Sequence, residues 1–161
     1  MNLWNYYDGD LKYPDLNNYS HEIEIAKANP KWAYLYVERN GKNKDLESII
    51  AKDAKYSYWY AKFVLNGPFP LGEPAIAKDE YYSYSYSYAK NILEGPFKLG
   101  EPAIATNSYQ SYEYARNILK GPFPLGEPAI AKNTEYSKEY TQNVLKKDFY
   151  LDGKLIYKYE G

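Results

Sequence analysis

The residues able to do chemistry are few in kind. His21 is the single histidine, and cysteine is absent. That excludes a thiolate nucleophile, a disulfide framework and a cysteine-based zinc site. One imidazole, read as a solvated cap residue, leaves little room for histidine-based metal or acid–base chemistry and no Ser–His pair that spacing can place. The Gly-Pro-Phe-x-Leu-Gly segments hold their glycines beside prolines, unlike a GxxxxGK[ST] or GxGxxG phosphate loop. What recurs is carboxylate and tyrosine. Glu73, Glu101 and Glu127 stand at helix starts, where the dipole favours an acid more simply than a bound cation would. Tyrosine supplies 22 of the 161 residues. Tyr58, Tyr86 and Tyr112 each carry a cation four residues on, Lys62, Lys90 and Arg116, and Trp59 lies beside the first. Tyrosine gives rigid contact area at low entropic cost, and beside a cation it suits a base and an anionic group. These seven residues are the candidate binding set. The competing reading is an aromatic ladder between adjacent helices, with the cations on a hydrated face. No catalytic residue, metal ligand or cofactor site is read, so the chain is expected not to be an enzyme.

The surrounding chain limits what such a set can serve. The 20 basic and 21 acidic residues leave a formal charge of -1. No global field favours duplex nucleic acid or an acidic membrane. Met1 to Lys12 carries Asp8 and Asp10 and no apolar run, unlike a secretory signal. No stretch approaches the ~18 apolar residues of a membrane span. A cytoplasmic protein is expected.

The elements that must position these residues come from a repeat. Residues 47–72 read ESIIAKDAKYSYWYAKFVLNGPFPLG, 73–100 read EPAIAKDEYYSYSYSYAKNILEGPFKLG, 101–126 read EPAIATNSYQSYEYARNILKGPFPLG, and 127–153 read EPAIAKNTEYSKEYTQNVLKKDFYLDG. The leading glutamates Glu47, Glu73, Glu101 and Glu127 are spaced 26, 28 and 26 apart. The two extra residues of 73–100 are read as a duplicated Ser-Tyr step in its SYSYSY run. Residues 22–46 form a degenerate first copy, with Asn29 matching Asp53. Residues 1–21 and 154–161 would be caps.

Each copy reads as two helices. Proline at the first helical position, as in Glu73-Pro74, loses no hydrogen bond. Asn29, Asp53, Asp79, Asn107 and Asn133 are N-caps. A longer helix from about Ala54 to Leu65 follows, with Ser57, Tyr60, Ala61, Val64 and Leu65 on one face. Tyr60, Tyr88, Tyr114 and Tyr140 are expected half-buried. Gly67, Gly95 and Gly121 are expected to end the helix in the left-handed conformation. Phe69, Phe97 and Phe123, with Leu71, Leu99 and Leu125, are expected to plug the gap between copies. Asp152-Gly153 inside FYLDGKLIYKY signals a β-hairpin. The expectation is an all-α fold, a short α-solenoid of about five two-helix repeats of 25–28 residues with a small C-terminal hairpin. Helices packed ~8–10 Å apart would give a ribbon of about 40–50 Å.

The run from Tyr56 through Ile76, YSYWYAKFVLNGPFPLGEPAI, resembles a short tandem helical repeat found in tailed-phage and other viral or bacterial proteins. It is loosely similar to Sel1-like and tetratricopeptide arrays, whose unit is longer. Lys138 at the place of Tyr58, Tyr86 and Tyr112, and Lys147-Asp148 for the Gly-Pro step, suit a terminal copy. The resemblance implies a helical array and a phage origin, and names no activity. Such arrays bind things through extended surfaces. The expected function is non-enzymatic binding of a protein partner, a host factor if phage-encoded. The alternatives are a sponge for a small signalling nucleotide and a structural virion spacer.

Overall fold

A computed structural model describes residues 19–79 and 83–161. Most of the expected N-terminal cap, the His21 side chain and residues 80–82 lie outside the described residues. Ten α-helices are found among the described residues: α1 (Tyr19–Ala26), α2 (Pro30–Asn40), α3 (Lys44–Ile50), α4 (Ala54–Trp59), α5 (Glu73–Ile76), α6 (Tyr84–Tyr88), α7 (Glu101–Ile104), α8 (Ser108–Glu113), α9 (Glu127–Ile130) and α10 (Thr134–Tyr140). The strands β1 (Phe149–Leu151) and β2 (Lys154–Tyr157) close the chain. The fold is therefore mostly helical, with a small antiparallel sheet at the C-terminus. No helix among the described residues is long and apolar enough to cross a membrane.

Side-chain caps start the long helices. Asn29, Asp53, Asn107 and Asn133 sit in extended backbone, and each accepts the N–H three residues on at 3.0 Å. Asp79 instead accepts from Tyr84, five residues on, at 2.9 Å. Ser85 and Tyr88 keep the partners that Ser57 and Tyr60 have. The two extra residues are thus absorbed ahead of α6. They do not lie within its Ser-Tyr run, and the helical register survives.

The helix α2 ends at Gly41, at φ 88°, whereas α4, α6, α8 and α10 each widen into a π-helix, over Tyr60–Leu65, Ala89–Leu93, Tyr114–Leu119 and Thr141–Leu145. The left-handed residue that ends it is not glycine. It is Asn66, Glu94, Lys120 or Lys146, at φ 51, 48, 51 and 52°. Gly67, Gly95 and Gly121 follow it with ordinary φ, and their N–H groups donate to the carbonyls of Ala61, Ala89 and Ala115 at 3.0, 3.1 and 3.1 Å. The same carbonyls also accept from the left-handed residues. Each of these carbonyls thus accepts two N–H groups, so the end of the helix leaves it satisfied.

The glycines under steric demand are others. Gly72, Gly100 and Gly126 end 3₁₀ turns over Pro70–Gly72, Lys98–Gly100 and Pro124–Gly126. A Cβ at Gly72 would lie 2.6 Å from Ser57 Cβ, and one at Gly126 2.7 Å from Ser111 Cβ. These serines are fully buried. The hydroxyls of Ser57, Ser85, Ser111 and Ser137 donate to the carbonyls of Ile50, Ile76, Ile104 and Ile130 at 3.1, 2.7, 3.1 and 3.0 Å. Short helix, long helix and loop therefore meet at one small residue.

The core is a series of like clusters. Ile50, Ile76, Ile104 and Ile130 are fully buried, as are Ala61, Ala89 and Ala115. Tyr60, Tyr88, Tyr114 and Tyr140 are also fully buried rather than half-buried. Their rings meet Phe69, Phe97, Phe123 and Phe149 at centroid distances of 4.9, 5.1, 5.1 and 5.3 Å. The hairpin thus supplies the last cluster with its phenylalanine. Asp152 and Gly153, both at positive φ, turn it, with Leu151 paired to Lys154 and Tyr150 to Leu155.

Candidate functional site

The hydroxyls of Tyr88, Tyr114 and Tyr140 each tie three segments together, and that of Tyr60 ties two. Tyr60, Tyr88, Tyr114 and Tyr140 donate to Glu47, Glu73, Glu101 and Glu127 at 2.9, 3.0, 3.0 and 2.8 Å. The last three also accept the N–H of Phe69, Phe97 and Phe123 at 2.8, 2.9 and 2.9 Å, from the preceding loop. The recurring glutamates are therefore partners of a buried phenol, a stronger role than the dipole contact expected of them. Burial, foremost, and the adjacent carboxylate hold these hydroxyls well above the ordinary tyrosine range, although the Phe N–H groups pull the other way. This network is structural.

The candidate tyrosines lie elsewhere. Tyr58, Tyr86 and Tyr112 are buried, at 6, 7 and 4 % exposure. Rings pair across neighbouring helices: Tyr34 with Tyr56 at 5.8 Å, Tyr58 with Tyr84 at 5.5 Å, and Tyr112 with Tyr136 at 6.0 Å. Position 110 is glutamine, and its Nε2 donates to Ser83 Oγ at 2.5 Å instead. The hydroxyls also point along the ladder. Tyr58 accepts from Asn91 at 3.1 Å, Tyr86 donates to Glu113 at 3.4 Å, and Tyr112 donates to Glu139 at 3.3 Å.

The cations crown these rings. Lys62 and Lys90 Nζ and Arg116 Cζ lie 5.7, 5.6 and 5.9 Å from the centroids of Tyr58, Tyr86 and Tyr112. Arg116 also donates to the Tyr112 hydroxyl at 3.0 Å. Lys62, Lys90 and Arg116 are exposed. The structure thus brings each tyrosine to its cation, as the i, i+4 spacing implied. It leaves the rings no stacking platform, because they are buried and the chain's own cations lie over them. Trp59 is half-buried, against Tyr34 at 5.6 Å and Tyr56 at 5.8 Å.

Apolar surface is offered elsewhere. Leu71, Leu99 and Leu125 are 54, 54 and 52 % exposed, while Phe69, Phe97 and Phe123, two residues before each, are buried. The expectation that both plug the gap holds for phenylalanine and fails for leucine. A 3₁₀ turn begins between them and rotates the leucine away from the cluster. Pro68, Pro70, Pro122 and Pro124 around them are exposed as well. Beyond Leu125, an open concavity of 530 Å³ is lined by Pro122, Glu127, Leu145, Lys147, Asp148, Phe149 and Tyr150. Tyr150 and its cross-strand partner Leu155 are 54 and 44 % exposed. Spacing alone groups Phe and Leu as equals. The proline between Phe69 and Leu71, and between Phe123 and Leu125, was the signal for their separation.

Among the described residues no group of three His, Asp or Glu side chains is placed to hold a metal ion. No family model, curated protein or solved structure matches this chain.

Proposed function

We propose that this chain is a non-enzymatic binding protein, a short α-solenoid of about five two-helix units that engages another protein through the row Leu71, Leu99 and Leu125. The single observation that carries the reading is that row. Three leucines at equivalent places in successive segments stay more than half exposed beside phenylalanines that are buried. Isolated exposed leucines are ordinary, but apolar residues repeated in register mark an interaction surface. Units stacked through the Tyr88–Glu73–Phe69 type of junction would hold the leucines in line. If the array is phage-encoded, as the repeat resemblance implies, the target is a host protein, and occupying a functional surface on it would inhibit it.

The test uses the triple variant Leu71→Glu, Leu99→Glu, Leu125→Glu, whose sites are exposed enough to leave the fold intact. Protein captured from bacterial lysate by the wild type is identified, purified and titrated against both forms by calorimetry. Loss of affinity in the variant supports the leucine row. Equal affinity refutes it.

A further inference from the structure

The segments supply an internal control, because equivalent positions can be read against one another. On the outer face of α4 and its π-helical extension, Lys55, Trp59, Lys62 and Phe63 fall at i, i+4, i+7 and i+8. The places of Lys55 and Trp59 are held in later segments by Ser83, Tyr109 and Glu135, and by Ser87, Glu113 and Glu139. The place of Phe63 is held by Asn91, Asn117 and Asn143. Two of those asparagines do structural work, donating to Tyr58 and Tyr112 of the preceding segment at 3.1 and 3.2 Å. Phe63 gives that bond up and stands 59 % exposed. The tyrosine that an asparagine at 63 would serve, Tyr34, donates to Glu38 at 2.6 Å, which makes the asparagine dispensable but does not call for an exposed phenylalanine in its place.

The charges change together with the rings. Lys55 Nζ lies 4.5 Å from the Trp59 centroid, and Lys62 Nζ lies 5.3 Å from the Phe63 centroid. Neither ammonium lies within ion-pair distance of a carboxylate among the described residues. Glu38, which holds the place of Lys62 in the preceding segment, spends Oε1 on the Tyr34 hydroxyl at 2.6 Å.

We propose that Lys55, Trp59, Lys62 and Phe63 form a docking patch for an acidic segment of a partner protein, with apolar side chains between its carboxylates. Complementary charge argues for that occupant. Ammonium groups lie over the rings, so what the patch presents outward is positive charge and aromatic edge, and the edge of a ring is itself the positive part of its quadrupole. Stacked nucleobases need the ring faces that the lysines cover. Lys55 and Lys62 are seven residues apart, about two helical turns, a span that a short extended peptide bridges. The patch is separate from the leucine row and does not depend on it.

Fluorescence anisotropy tests this with a labelled peptide of Glu-Glu-Leu repeats, with labelled oligothymidylate and with phosphatidylserine vesicles as competing probes. The variant Phe63→Asn restores the residue found at 91, 117 and 143, and Lys55→Ser restores that at 83, so both are compatible with the fold. The patch is expected to bind the peptide saturably, with affinity falling as salt rises. Phe63→Asn and the pair Lys55→Ser, Lys62→Glu should each weaken binding about tenfold or more, while Leu99→Glu should leave it unchanged. The proposal is overturned if the peptide does not saturate, if the patch variants bind it as well as wild type, if Leu99→Glu abolishes binding, or if oligothymidylate or the vesicles are bound in preference.

Discussion

The Tyr114 hydroxyl donates to Glu101 at 3.0 Å and accepts the Phe97 N–H at 2.9 Å, so one buried oxygen joins a loop to the segment after it. Replacing Tyr114 by Phe keeps the ring against Phe123 but strands the buried Phe97 N–H, while the Glu101 carboxylate keeps the Lys98 ammonium at 2.9 Å. An unsatisfied buried group costs about 1–3 kcal/mol. Tyr114→Phe should therefore lower the urea-unfolding free energy by that amount. Tyr109→Phe, at a site 48 % exposed, should change it by less than about 0.5 kcal/mol. Equal effects in the two variants would mean that the Tyr114 bridge adds no stability.

Alkali should unfold the protein steeply. Burial, and then the adjoining carboxylate, raise the hydroxyls of Tyr34, Tyr60, Tyr88, Tyr114 and Tyr140 well above the ordinary value of 10. The folded chain keeps these protons after the unfolded chain has lost them. Their contribution is therefore complete below pH 10 and drains away as pH rises from there towards the folded values. Each such proton adds about 1.4 kcal/mol per pH unit to the slope. Urea midpoints should be flat towards pH 9 and fall sharply above it, and the fall should be shallower in Tyr114→Phe, which lacks one of these protons. An equal slope in the two proteins would show that the Tyr114 hydroxyl does not hold its proton through folding.

Two glycines five residues apart should respond differently to the same change. A Cβ at Gly126 would meet Ser111 Cβ at 2.7 Å, whereas one at Gly121 finds its nearest neighbour, the Leu119 carbonyl oxygen, at 3.8 Å. Gly126→Ala must push apart the loop and the long helix, at a cost of about 1–3 kcal/mol. Gly121→Ala has room and an ordinary φ, so it should be neutral or stabilising by up to about 1 kcal/mol. Thermal unfolding of the pair reads the difference directly, and the reverse order would put the steric demand at the wrong glycine.

Much of this architecture is legible in the chain because it recurs. The Asn and Asp caps, the face Ser57–Tyr60–Ala61, the short helices that begin Glu-Pro and the Asp152-Gly153 hairpin all follow from local chemistry that the structure repeats. The departures have one cause: they depend on which partner a residue meets, and spacing does not encode that. Tyr58 and Tyr60 differ by a rotation that periodicity cannot translate into hydrogen-bond partners. A π-helix changes that rotation by one residue, and no propensity marks its onset at Tyr60. Leu71 and Phe69 look alike in composition, and only the 3₁₀ turn between them separates surface from core. The basic and aromatic patch at Lys55, Trp59, Lys62 and Phe63 was visible in principle. Phe63 stands where three asparagines stand, but its meaning needed the bonds that Asn91 and Asn143 make.

Thr141 sets the last segment apart from the others. It occupies the place of Ala61, Ala89 and Ala115, it is fully buried, and its Oγ1 has no hydrogen-bond partner among the described residues. A buried hydroxyl without a partner loses its hydration and gains nothing for it. Thr141→Val keeps the branched shape and removes the polar atom, so it should raise the unfolding free energy by about 1–2 kcal/mol. Thr141→Ala removes a buried methyl group as well, worth about 0.8 kcal/mol, and should come out between valine and wild type. Chemical denaturation of the three proteins orders them Val, Ala, Thr from most to least stable. A destabilised valine variant would place a hydrogen-bond acceptor or donor at Oγ1 and assign Thr141 a structural role that the alanines do not have.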